Sequence, residues 1–275
     1  MKNKFALLIA ILLVICSTFS LTACDNLTTE RQSKTNDNLT DCNEPIPEEH
    51  KTNEELYAAA VRDSMVIDDD EILPLVNISR EDENVSWNGD KVLVSFIHKY
   101  PSSYPIGEDI TLQWGNVWCV SATEMNNWVK ANGQDVTDWS LRLHQLLGMP
   151  TSKGYTTVTA LWVDADLLHR PANVTDTNSP MQKTYQPTGD EEFDSMYKAW
   201  FDDNIIWSYF ESAYPWTRLG YTYDWADNGT KYGLSEFLIF SGASATVAYT
   251  YSLEDYITYV CSGLGTDMMI YAVNP

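Results

Sequence analysis

From about residue 53 onward, apolar and polar positions fall into short blocks of two kinds. Lys91 to His98 (Lys-Val-Leu-Val-Ser-Phe-Ile-His) is rich in β-branched residues and too short for a typical helix, which predicts a strand. Tyr100-Pro101 and Tyr104-Pro105 end it. Ile110 to Gln113 and Val117 to Val120 read as two strands around a turn at Gly115-Asn116. Thr156 to Val163, Leu219 to Trp225, Leu234 to Phe240 and Ala245 to Tyr251 complete the strand blocks.

Helices are announced by their starts. Thr52-x-x-Glu55, Ser121-x-x-Glu124 and Thr188-x-x-Glu191 each have the form of a capping box, in which hydroxyl and carboxylate satisfy each other's orphan backbone N–H groups. The first opens a helix to about Arg62 and the second one ending near Asn132-Gly133. The third precedes Phe193, Met196, Tyr197, Trp200 and Phe201 at helical spacing. Asp138 caps a further helix with Trp139, Leu143, Leu146 and Leu147 on one face, stopped by Gly148-Met149-Pro150. Residues 63–90 are acidic and irregular. Helices set between strand runs predict an α+β fold, one domain over residues 53–275, with a mixed or antiparallel sheet and three to four helices.

The first fifty residues follow another pattern. Lys2 and Lys4 precede an uncharged apolar run from Phe5 to Cys16, too short to span a ~30 Å hydrocarbon core but suited to a signal peptide. Leu21-Thr22-Ala23-Cys24 resembles the bacterial lipobox, which implies cleavage after residue 23 and a lipid on the Cys24 thiol. Residues 24–52 are polar, with Leu27, Leu39, Ile46 and prolines as the apolar exceptions, and read as a flexible tether. The expected address is the extracytoplasmic face of a cell membrane, with the membrane itself as a partner through that lipid.

Charge narrows the partners. Without residues 1–23 the net charge is (17 − 2) − 39 = −24, with His neutral. Nucleic acid and bare anionic lipid would be repelled, so no nucleic-acid partner is expected. Asp68-Asp69-Asp70-Glu71 lacks the glycine of an EF-hand loop and reads as a solvated loop. Ten Trp, sixteen Tyr and eight Phe supply core packing first and a ring-binding groove second, and all ten tryptophans lie between Trp87 and Trp225. Cys42, Cys119 and Cys261 remain after signal and lipid; Cys119–Cys261 pairs, or both stay free and buried.

Three stretches could carry chemistry. In Tyr214 to Trp225, strand alternation puts Leu219, Tyr221, Tyr223 and Trp225 on one face and Arg218, Gly220, Thr222 and Asp224 on the other. Tyr221, Tyr223 and Asp224 are candidate ligand contacts there. In Leu161 to Pro171, two acids, His169 and Arg170 follow a strand end. His169 is a further candidate contact, but the set lacks a fourth ligand, so no metal is expected. In Gly233 to Ala243, Glu236 sits in an otherwise apolar strand, costly unless it is paired or exposed.

Glu236, the apolar residues after it and Gly242 resemble the catalytic-glutamate strand of ADP-ribosylating toxins. That resemblance implies that Glu236 stabilises an oxocarbenium-like transition state as nicotinamide leaves, with Arg170 as the match to the family's early arginine; the family's Ser-Thr-Ser strand has no counterpart. Tyr214-Pro-Trp-Thr-Arg-Leu-Gly-Tyr-Thr-Tyr-Asp-Trp225 followed by Gly233-Leu-Ser-Glu-Phe237 resembles a group of uncharacterised bacterial secreted and lipoprotein-type proteins, which implies a single domain and brings no activity.

Two functions are therefore expected in order. The first is a lipid-anchored binding or accessory envelope protein whose aromatic cleft takes a small molecule, glycan or peptide, with no cofactor. The second is an exported enzyme acting on a nucleotide or sugar with Glu236, Arg170 and Arg218, which requires those three side chains to converge in one cleft.

Overall fold

Strands β2 (Lys91–His98) and β5 (Thr157–Asp164) are buried at nearly every position because both faces of their sheet are covered. Leu93 and Ile97 of β2, with Val158, Ala160 and Trp162 of β5, bury against three helices: α2 (Ala122–Asn132), α3 (Trp139–Leu146) and α5 (Leu253–Cys261). The alternate residues Val92, Val94, Phe96, Leu161 and Val163 pack with Leu112 on the opposite face. That face is closed by the irregular acidic stretch, which contributes Val76, Ile78 and Val85. The computed structural model describes residues 51–262; the expected signal peptide, Cys24, Cys42 and all but the last two residues of the expected tether lie outside them.

All the pairings are antiparallel. The strand order is β3 (Asp109–Thr111), β9 (Ser244–Ser252), β5, β2, β4 (Val117–Ser121), β8 (Tyr232–Ile239) and β6 (Leu168–His169). The short β1 (Trp87–Asn88) pairs with β2, and β7 (Tyr221–Tyr223) pairs with β8. Four residues, 240–243, join β8 to β9 although β4, β2 and β5 lie between them in the sheet. So short a link over three strands requires the sheet to curl, and it curls without closing. α1 (Asn53–Asp63) and α4 (Glu191–Ile206) pack outside this frame, and no helix among the described residues is long and apolar enough to cross a membrane.

The fold is the α+β domain expected, with five α-helices among the described residues rather than three to four. α5 was missed because β9 runs into it without a break: Ser252 ends the strand and caps the helix, accepting from Asp255 N. The Gly115-Asn116 turn does not make a hairpin. β3 pairs with β9, because Leu112 bonds to Ala243 and Gly242 across the curl. Of the three capping boxes, Thr52–Glu55 forms as such. Ser121 accepts from Glu124 N, but the Glu124 carboxylate turns to Ser235 instead. The third helix start is capped by Asp190, while Asp194 holds the N–H groups of Thr188 and Gly189. The thiols do not pair: Cys119 is buried in β4, and Cys261 is exposed at the end of α5.

Candidate functional site

β8 is a forked strand. Its C-terminal half lies between β4 and β6, and its N-terminal half leaves β6 and picks up β7 along the same edge. Glu236 sits at the fork. Its N–H donates to Gly220 O, and its Cα partner on β4 is Val120. Neighbouring Phe237 points into the core on the opposite face. The Glu236 side chain instead enters a cavity of about 190 Å³ between β7, β8 and the end of α4. Protein atoms surround the carboxyl, and what accessible surface it keeps faces this cavity. It makes no hydrogen bond or ion pair, and burial pushes it up to about 8, so it is neutral at pH 7.

Three local features shape the cavity. α4 loosens after Ile206 into one π-helical turn, Trp207–Glu211, which places Trp207 and Ser208 on the wall. Such turns insert a residue into the helix ladder and re-aim the side chains after it. Ala213 then takes a positive φ of 53°, a strained setting for a residue with a Cβ, and returns the chain so that Tyr214 N donates to Ser208 O. Pro215 and Trp216 follow, the Trp216 indole fixed by its N–H to Pro171 O at 2.7 Å. On the far side, Gly148 has a φ of 65°, and a Cβ there would stand 3.3 Å from Tyr223 O, so a bare turn after α3 lies against β7. Leu147 and Met149 flank it, and Trp118 and Tyr155 complete the wall.

A second, larger depression of about 580 Å³ lies at the end of the curled sheet. Phe96, Tyr100, Tyr104, Trp114 and Asn116 line it, and it shares Trp118, Met149 and Tyr155 with the Glu236 cavity. Trp114, on the loop between β3 and β4, is 90% exposed. An indole that free is not held by the core and offers a flat face to whatever enters the groove.

The expected site residues separate. Glu236, Tyr221 and Tyr223 meet at the cavity, although Tyr221 stacks on Tyr232 at 4.8 Å and the Tyr223 hydroxyl donates to Asp63 at 2.8 Å, so both phenols are committed elsewhere. Asp224 lies behind this wall, buried against the guanidinium of Arg142 with contacts of 3.0 and 2.5 Å. His169 packs between Phe193 and Phe240, and burial holds it below its ordinary value. Arg170 is buried on the Phe237 side of β8, donating to Val76 O and Thr177 O. Arg218 donates to Ser64 O and Met65 O. Neither arginine lines the cavity, so the convergence required of an enzyme built on Glu236, Arg170 and Arg218 is not met. Among the described residues no group of His, Cys, Asp and Glu is placed to hold a metal ion.

The segment singled out in the sequence contributes further lining residues beside Tyr221 and Tyr223. Within Tyr214 to Trp225, Tyr214 and Trp216 line the cavity, while Asp224 supports the fold. Trp118, Tyr155 and Trp207 come from three distant segments, and no periodicity links them. In comparisons with known proteins, no family model, curated protein or solved structure matches the chain.

Proposed function

We propose that this is a lipid-anchored binding protein of the bacterial cell envelope, held on the extracytoplasmic face by Cys24, whose paired aromatic depressions take an extended glycan or peptide. The observation that carries the reading is that the two depressions adjoin, sharing Trp118, Met149 and Tyr155 as wall, with Trp114 free at the outer one. Stacking on indole and phenol rings suits the apolar faces of sugar rings and peptide side chains. A single carboxyl lines the inner depression and none lines the outer, so the paired carboxylates of ordinary glycoside hydrolysis are lacking there, which favours binding over cleavage.

Two experiments test it. Growth with a labelled fatty acid should mark the native chain and leave a Cys24→Ser chain unlabelled; labelling of both removes Cys24 as the anchor. Tryptophan fluorescence should saturate when the protein is titrated with the tetramer of β-1,4-linked N-acetylglucosamine or with envelope-derived peptides. Flat curves with every glycan and peptide overturn the binding reading.

A further inference from the structure

The inner cavity is too small for a whole ligand of ordinary size and suits one group of a larger molecule. Its chemistry is one-sided. Seven aromatic residues line it, with one carboxyl and no basic side chain among the lining residues. Of the other hydroxyls there, Thr222 Oγ1 already donates to Leu146 O and accepts from Leu234 N, the Tyr223 hydroxyl donates to Asp63, and Ser208 lies on the same wall. A neutral polar group entering this space would lose its water and find few partners. A cation would meet ring faces and a carboxyl with nothing else to neutralise it. Tyr214 already shows the preference, carrying the Lys153 ammonium 5.2 Å from its ring centroid.

We propose that the cavity around Glu236 is a receptor for a methylated ammonium group, held by the rings of Trp118, Tyr155, Trp207, Tyr214 and Trp216 and by the Glu236 carboxylate. Methylation follows from the shortage of acceptors: a primary ammonium would leave donors unsatisfied, whereas N-methyl groups need only ring faces. The strongly acidic chain draws cations toward the mouth. The proposal rests on the binding reading above and names the group that enters the inner cavity.

Binding then ionises Glu236 and releases its proton to solvent. The other titratable groups around it do not compete between pH 7 and 9. Burial pushes Tyr155, Tyr221, Tyr223, Tyr197 and Cys119 up, so they stay neutral. His144, behind Tyr155, is tied up in the fold, accepting Tyr155 N–H at Nε2 and donating from Nδ1 to Ser140 O. Lys153 and Tyr214 bond to each other outside the carboxyl's reach.

The test is calorimetric titration of the whole protein with choline, with tetramethylammonium and with 3,3-dimethylbutan-1-ol, the neutral isostere of choline. Choline should bind more tightly than its isostere and about tenfold more tightly at pH 9 than at pH 7, as expected for a carboxyl titrating near 8. At pH 7, buffers of different ionisation heat should report close to one proton released. Glu236→Gln should erase the pH dependence and the preference over the isostere, and Trp207→Ala, at the exposed rim, should weaken all three probes. Equal binding of choline and its isostere overturns the ammonium proposal and leaves an apolar binding cavity. Binding of glycans or peptides with no binding of choline or tetramethylammonium overturns it while the wider reading stands. No binding of any probe removes both.

Discussion

Glu124 reaches β8 from α2 and Glu236 belongs to β8 itself, and the two carboxyls meet opposite fates. Glu124, in the first turn of α2, accepts from Ser235 N at 3.1 and 3.0 Å and from Ser235 Oγ at 3.2 Å, taking the place of a strand partner where β4 ends. Glu236, the next residue along β8, accepts nothing. Burial raises both carboxyls, Glu124 to about 7 and Glu236 to about 8. A buried polar group with bonds is part of the fold, and one without bonds costs stability unless something else uses it. Depth of burial therefore does not separate a structural acid from a functional one; the partners do. Asp224 makes the same point more strongly, since Arg142, Asn228 and Ala226 N all bond to it.

Breaking the bonded acids should cost far more stability than neutralising the free one. Asp224→Ala strands Arg142 and should cost about 3–5 kcal/mol, or roughly 10 °C in thermal melting. Glu124→Ala leaves Ser235 N–H without an acceptor and should cost about 2–3 kcal/mol in the same assay. Glu236→Gln should stay within about 1 kcal/mol of the parent. A Glu236→Gln loss as large as that of Glu124→Ala would erase the distinction.

The pH dependence of stability sharpens it. Both carboxyls are raised above their unfolded value of 4.5, so over the interval between that value and the folded one the native state holds protons that the unfolded state has released. Their contribution is whole below pH 4.5 and is lost as pH rises, through about 7 for Glu124 and about 8 for Glu236. His98 acts oppositely. Burial lowers it to about 4, so its contribution is lost as pH falls below 6.5. Above pH 7, Glu236 dominates the decline, at up to about 1.4 kcal/mol per pH unit. Denaturant unfolding at pH 7 and 8 should show that decline in the parent and little of it in Glu236→Gln.

The smallest stability effect belongs to the outer groove. Trp114→Ala removes an exposed indole and should shift stability by no more than about 0.5 kcal/mol, while weakening any ligand that lies along the groove. Loss of fold in Trp114→Ala would make that indole structural.

The α+β class, the long strands β2, β5, β8 and β9, and four of the five helices were legible because period and capping are local properties. The β3–β9 pairing was not, since it depends on a curl made by contacts between Leu112 and Gly242-Ala243, far apart in the chain. Glu236 stood out as an acid in an apolar strand. Its cavity did not, because the walls come from β4, the α3–β5 connection and a π-turn that helical spacing cannot foretell. Arg170 looked available in the sequence and is instead buried away from the cavity, its Nη2 donating to the carbonyls of Val76 and Thr177.

The most direct measurement is the carbon-13 NMR titration of the Glu236 carboxyl, assigned by its absence in Glu236→Gln. A midpoint near 8 in the free protein is predicted, because the carboxyl is enclosed by rings and unpaired. A midpoint near 4.5 would mean a solvated or partnered carboxylate, and the account of the cavity would be wrong.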